Sequence, residues 1–326
     1  MRLSLKGFIT CKEAEAYSDC ADHYAYNMAA HRFAISDGVT KSFYPKIWSR
    51  ILVEQSVALD GATDFPLEQC QDEWLAEVTK KVSEPNVKWF AQNAFIRRDS
   101  GLATFVSLVF DDDEMIWTAE ALGDSFLFFV PENDKDDFDK WVKFSSKSEP
   151  VVFDNFPDYF SSRGKGRGEK CEMSGYVEPG TFYLMTDALS EFLFNEKEEA
   201  LRIIEEEWTS QKAFEASVDK LRQSGRLHND DSAVLAITLE DDGICDIVEG
   251  DADVTDLEEL VEAETALKEC RREIEVTYER LNETLTTILN NHNLSEHVKH
   301  DIQQQLAVAY ARPHGTCDGD EQQCVL

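Results

Sequence analysis

The sequence predicts an α+β chain: a sheet core with antiparallel neighbours, helices on both of its sides, and a C-terminal helical extension. Three observations carry this. From residue 1 to about 245, short runs rich in β-branched and aromatic residues alternate with longer amphipathic segments. Polar segments of turn length, Asp111-Asp112-Asp113-Glu114 and Gly123-Asp124-Ser125, separate successive apolar runs, as in antiparallel neighbours. Beyond Gly250 the chain turns strongly charged, with apolar residues at helical spacing.

Taken in order, strands are expected at residues 33–35, 104–110 (TFVSLVF), 115–118, 126–130 (FLFFV), 181–185 (TFYLM) and 233–239 (AVLAITL). Helices are expected from Pro45, which suits a helix N-terminus, over 46–59, and then over 67–82, 197–208 and 213–223. A heptad read from Leu257 runs through Leu260, Glu264, Leu267, Arg271, Ile274, Tyr278, Leu281, Leu285 and Ile288. Glu264 and Arg271 interrupt the seam. Packing against the chain's own residues and association with a partner or a second copy through 251–312 therefore stay open. The expected organisation is a domain over 1–245, a helical or coiled-coil extension over 251–312 and a disordered tail over 313–326.

Composition narrows the function. With 326 residues, 42% hydrophobic and 30% charged, the chain is globular rather than disordered. Its net charge of −33 gives phosphate backbones the wrong sign of field, so nucleic acid is not an expected partner. No apolar run reaches the ~18 residues of a membrane span, no secretion signal opens the chain, and Cys324 stands one place too near the end for prenylation. The eight cysteines form no C-x-x-C pair, which excludes zinc-ribbon and thioredoxin-like readings and suits reduced thiols in the cytoplasm.

The chemistry-bearing residues are acids at strand ends. Ile35-Ser36-Asp37-Gly38 ends a strand in a carboxylate followed by a flexible glycine whose carbonyl can turn towards a ligand. Gly123-Asp124-Ser125 lies between two apolar runs, Thr186-Asp187 closes another, and Asp230-Asp231 stand just before the last. In antiparallel neighbours, starts and ends of strands meet at one edge. Carboxylates gathered there repel each other unless divalent cations neutralise them, so the pattern points to a two-metal site built of hard oxygen ligands. There is no G-x-S-x-G and no Cys-x5-Arg loop to supply a protein nucleophile. His31 and His228 lie near two of the motifs, where either could donate a proton to a leaving group.

Asp22, then Ala-Ile-Ser-Asp37-Gly38, Ala103-Thr104, Ala-Leu-Gly123-Asp124-Ser, Tyr-Leu-Met-Thr-Asp187 and Asp230-Asp231 come in an order that resembles the motif series of the metal-dependent protein phosphatases of type 2C, over residues 7 to about 240. The resemblance implies an αββα antiparallel β-sandwich flanked by helices. It also implies hydrolysis of phosphoserine and phosphothreonine in proteins by a water activated between two Mn²⁺ or Mg²⁺ ions. Asp37 would bridge the ions, the Gly38 carbonyl would bind one, and Asp187 and Asp230 the other. Asp22 would orient metal-bound water. Asp124 matches the Gly-Asp motif's metal carboxylate, and Glu191 falls where relatives hold a weaker third ion.

Departures from the pattern bear on activity. The Arg that relatives use to clamp phosphate is Tyr17, the Gly-Gly after Asp-Gly is Val39-Thr40, and the Gly after the Thr-Asp motif is Ala188. The glycine-rich basic segment 161–170, with Arg163, Lys165 and Arg167, could replace the missing cation beside a phosphorylated substrate. A different class remains open: a pseudophosphatase that uses the same fold to bind or regulate a phosphoprotein.

Overall fold

The structure, a computed structural model, describes residues 1–59, 65–153, 156–243, 246–290 and 295–310. The chain divides into two compact units, Met1–Glu264 and Thr265–Leu326. The first unit begins with β1 (Arg2–Thr10), β2 (His23–Asn27) and β3 (Arg32–Ser36), then α1 (Pro45–Val57), α2 (Leu67–Val82) and α3 (Trp89–Ile96). There follow β4 (Leu102–Ala103), β5 (Phe105–Asp111), β6 (Ile116–Leu122), β7 (Phe126–Pro131), β8 (Val142–Phe144), β9 (Phe160–Ser161), β10 (Cys171–Tyr176) and β11 (Gly180–Met185). The unit continues through α4 (Asp187–Glu196), α5 (Glu198–Glu207), α6 (Gln211–Gln223), β12 (Ser232–Glu240) and β13 (Val248–Val254).

Two sheets face each other. One has the order β13-β1-β12-β11-β7-β8, the other β10-β6-β5-β3-β2. The two-residue period of a strand explains the layering. In β7, Leu127 and Phe129 enter the core between the sheets, while Phe126, Phe128 and Val130 pack outward with Leu189 and Phe192 of α4 and Phe214 of α6. In β3, Phe33 and Ile35 point to the same central core, whereas Ala34 faces Trp48 and Ile51 of α1 and Trp74 of α2. Both faces of these two strands are apolar because both are covered, and the result is the αββα sandwich that the resemblance implied. One pairing departs from it: β13 lies parallel to β1.

That strand also moves the boundary expected at 245. The acidic run Val-Glu-Gly-Asp-Ala-Asp-Val, whose last residues fall in the extension expected from 251, is an exposed edge strand that needs no apolar face, and the first unit runs on to Glu264. Polar edge strand β10 escapes the sequence pattern for the same reason. The second unit comprises most of α7 (Leu257–Leu289), with α8 (Glu296–Tyr310). Within it the seam residues Leu267, Ile274, Tyr278, Leu281 and Ile288 are exposed. The tail expected to be disordered, 313–326, lies outside the described residues. No helix among those described is long and apolar enough to cross a membrane.

Candidate active site

Strand register brings the acidic motifs to one end of the sandwich. His23 pairs with Ser36, so Asp22 before β2 and Asp37 after β3 are neighbours. Met185 pairs with Phe126 and Val234, which sets Asp187 beside the Asp124 loop and the start of β12. Thr10 pairs with Ser232, so the residues after β1 run alongside Asp230 and Asp231.

Backbone clips hold the acids there. The Thr104 amide donates to the Asp37 carbonyl at 2.9 Å, and its hydroxyl accepts from the Asp37 amide at 3.3 Å and meets the Ser125 hydroxyl at 2.6 Å. One buried threonine thereby joins the Asp37 turn to the Gly123-Asp124-Ser125 turn. Gly38 donates to the Ala21 carbonyl at 3.2 Å, and a Cβ at position 38 would lie 2.9 Å from that oxygen. Gly123 has φ +108°, and a Cβ there would sit 2.6 Å from Thr104 Cβ. Both glycines are required by close approach, the second also by its left-handed backbone.

The carboxylates press on one another through a poorly solvated interior. Burial raises the Asp22 carboxyl well above the usual range, and Asp231, Asp187 and Asp230 add repulsion. Asp37 is raised in the same way, by burial and then by Asp187, Asp22, Asp124 and Asp230. Asp187 is pushed up to about 8, by burial and then by Asp124 and Asp230, although its side chain keeps some contact with solvent. Asp22 is 1% exposed, and neither of its carboxyl oxygens finds a hydrogen-bond partner. The nearby Thr186 hydroxyl is engaged instead with the main chain of Ala233.

The remaining predicted residues are placed as follows. Asp231 accepts from the amides of Lys12 at 3.0 Å and Ala21 at 2.8 Å, which makes it a structural stitch between segments. Glu191 lies one turn after Asp187 on α4 and faces His228 at 3.3 Å. Asp124, 2% exposed, has the Lys147 ammonium 3.6 Å away. The Arg163 guanidinium stacks on Phe95 and Trp74, Lys165 is exposed, and Arg167 pairs with Asp158 at 3.5 Å. None of these three basic groups is among the main charges acting on Asp22, Asp37 or Asp187. His31 lies away from the acids: it precedes β3 and pairs with Asp112 at 3.0 Å, whereas Asp37 follows that strand. A strand of five residues separates them by roughly 17 Å.

Two functional neighbours were not legible as such. Lys12 reaches Asp230 at 2.9 Å and the Thr40 hydroxyl at 2.8 Å. Burial pulls its ammonium down, but the bond to Asp230 and the charges of Asp230, Asp231 and Glu15 leave it raised overall. Arg222 of α6 donates to the carbonyls of Asp230 at 2.5 Å and Cys11 at 2.9 Å, bracing the turn that carries Asp230. Nothing in an amphipathic helix distinguishes that arginine. Lys12 had a signal: had β1 been recognised, its pairing with β12 continued two residues past Thr10 and Ser232 sets Lys12 opposite Asp230. Tyr17, in the place of the phosphate-clamping Arg, donates instead to Glu215 of α6.

A donor set made only of oxygens, carrying more negative charge than its neighbours offset and including a buried carboxylate without a partner, fits a hard divalent cation. Among the described residues, however, no three of these side chains form a ready coordination cluster.

The sequence matches no protein-family model and no curated protein. Solved structures to which the chain is similar include serine/threonine phosphatases. The photosystem II phosphatase PBCP has a TM-score of 0.49 at 15% identity, over 73% of this chain and 99% of that one. Stp1 from Staphylococcus aureus has a TM-score of 0.49 at 12% identity, over 73% and 95% of the two chains. The catalytic domain of PstP, solved with two manganese ions, has a TM-score of 0.44 at 12% identity, over 73% and 99%. The functional reading rests on the residues themselves.

Proposed function

We propose that this chain is a divergent metal-dependent protein phosphatase of the type 2C kind, acting on phosphoserine and phosphothreonine in proteins. The observation that supports it best is the gathering of Asp22, Asp37, Asp124, Asp187 and Asp230 at one end of the sandwich, where burial and the repulsion of neighbouring acids raise the carboxyls of Asp22, Asp37 and Asp187. Two Mn²⁺ or Mg²⁺ ions, held by Asp37, the Gly38 carbonyl, Asp187 and Asp230, with Asp124 and Glu191 available for a weaker third, would neutralise the cluster, activate water and polarise a phosphoryl group. The chain's own residues do the rest. Asp22 accepts hydrogen bonds from water and orients it. Thr104 and Arg222 fix the turns that carry Asp37 and Asp230. His228, exposed beside Glu191, would be the group that hands a proton to a leaving alkoxide. Arg163, Lys165 and Arg167 belong to this reading as substrate contacts that would have to leave their present neighbours to approach a phosphoprotein.

Hydrolysis of p-nitrophenyl phosphate and of a phosphoserine peptide is the test. It should require Mn²⁺ or Mg²⁺, vanish in EDTA, and fall at least ~100-fold in Asp37→Asn, as when a principal stabilising group is lost. A folded, manganese-loaded protein without turnover on any phosphosubstrate refutes the enzyme.

One observation favours the second reading, a phosphoprotein-binding pseudophosphatase: no three carboxylates among the described residues form a ready cluster. Calorimetry separates the two, since a metal-free module gives no Mn²⁺ heat that depends on Asp37 and Asp230. The proposal includes a cytoplasmic location, checked by fractionation. It also includes association through 251–312, where the exposed seam supplies the surface and light scattering on the full chain gives the readout.

A further inference from the structure

We propose that Lys12 is a resident cation of the acidic site, so that a divalent ion can occupy Asp230 only by displacing a side chain that this protein already supplies. The inference rests on the metal-dependent reading above. Its basis is geometric. Lys12 leaves the end of β1, and its ammonium lies 2.9 Å from Asp230 Oδ1 and 2.8 Å from the Thr40 hydroxyl. It thus bridges the turn after Asp37-Gly38 and the turn before β12, which are far apart in sequence.

The ammonium is not a passing surface charge. The Lys12 side chain is only 14% exposed, and its own amide is held by Asp231 Oδ1 at 3.0 Å, so backbone and side chain are fixed by adjacent carboxylates. The same Asp230 oxygen also accepts from the Asp231 amide at 2.8 Å. Arg222 completes the seat by holding the Asp230 carbonyl at 2.5 Å and the Cys11 carbonyl, immediately before Lys12, at 2.9 Å. One oxygen of Asp230 is therefore committed to a tethered charge. Asp22 has no such counter-ion: its two carboxyl oxygens are buried without a partner. The site is unequal. Asp22 lacks an attached cation, whereas Asp230 carries one.

A tethered ammonium and a divalent ion compete for the same carboxylate, and like charges at contact distance exclude each other. Metal binding should therefore be tighter for the ion held by Asp37 and the Gly38 carbonyl, while the ion held by Asp187 and Asp230 is opposed by the lysine. Lys12→Met keeps the apolar stem and deletes the charge.

The experiment is a double-mutant cycle of Lys12→Met and Asp230→Asn in the full chain, with Asp37→Asn as a control, read by Mn²⁺ calorimetry and by melting in EDTA. Lys12→Met is expected to tighten Mn²⁺ binding at least about tenfold or to add one equivalent, and Asp230→Asn is expected to abolish that gain. In EDTA, Lys12→Met should melt several degrees lower than wild type, and Asp230→Asn should suppress that loss. Unchanged Mn²⁺ affinity and stoichiometry in Lys12→Met overturn the proposal while leaving the metal reading intact if Asp37→Asn still loses binding. Absence of Mn²⁺ heat from all four proteins of the cycle sinks the metal reading and, with it, the competition proposed here. A cycle without coupling in EDTA shows that the lysine does not serve Asp230 and overturns the resident-cation assignment.

Discussion

Replacing Asp187 by Asn should stabilise the metal-free protein even as it damages the site. Asp187 moves from an ordinary carboxylate value of 3.8 to about 8, through burial and then repulsion from Asp124 and Asp230. The sign follows from proton binding: the unfolded chain releases this proton near 3.8 and the folded chain keeps it to about 8. Stability is thus complete below the lower value and is withdrawn as pH rises between the two. At about 1.36 kcal/mol per pH unit, the whole gap is a ceiling of ~6 kcal/mol. Asp187 keeps some solvent contact and shares its repulsion with coupled neighbours, so ~1–3 kcal/mol is the part that an amide should recover. Asn retains an oxygen for the Ala188 amide, which Asp187 Oδ1 accepts at 2.6 Å. For a unit of this size the gain corresponds to a rise in Tm of about 3–10 °C. The assay is circular dichroism melting in EDTA at pH values from about 5 to 8. Wild type should lose Tm across that range, and Asp187→Asn should lose less. Saturating Mn²⁺ should restore wild type but not the variant. A variant that melts at or below wild type at about pH 8 in EDTA refutes the view that the cluster is electrostatically strained.

Other perturbations probe the scaffold. Gly123→Ala forces a side chain into φ +108° and against Thr104 Cβ at 2.6 Å, so it should cost at least ~1–3 kcal/mol by urea melting; an unchanged midpoint contradicts the geometry. Thr104→Val removes the hydroxyl joining Asp37 to Ser125 and should lose ~1–3 kcal/mol, with a lower kcat at little altered KM; full retention of both means that the clip does not position the site. His23 is held near 3, by burial and then by the Lys46 charge, with Nδ1 at 3.0 Å from the Ser49 hydroxyl. Because the unfolded chain takes up this proton near 6.5, stability is lost as pH falls from there towards 3, and His23→Gln should flatten that acid limb by about one proton. Phe182, fully buried between the sheets, should cost ~3–5 kcal/mol on truncation to Ala, measured by chemical denaturation; a cost below ~1 kcal/mol places the core elsewhere.

The central strands were legible because they are short runs dominated by β-branched and aromatic residues, as in FLFFV and TFYLM. The terminal strands were not. β10 and β13 lie at sheet edges and stay polar, and β1 interleaves Lys6 and Gly7 with its apolar residues. Missing β1 also concealed Lys12, since its partnership with Asp230 exists only once β1 and β12 are in register.

By itself, the sequence determined which residues bear chemistry: carboxylates at strand ends and glycines beside them, because turn and strand preferences are local. It also determined the α+β class, because strand runs and amphipathic helices differ locally in composition and period, whereas the sandwich's layers were implied only by the resemblance. Only the tertiary structure decided which acids repel each other, which lack partners, and which already has a lysine. Those properties depend on distance and burial through the folded interior, and residues separated by more than two hundred positions in the chain acquire them only when strand register brings them together.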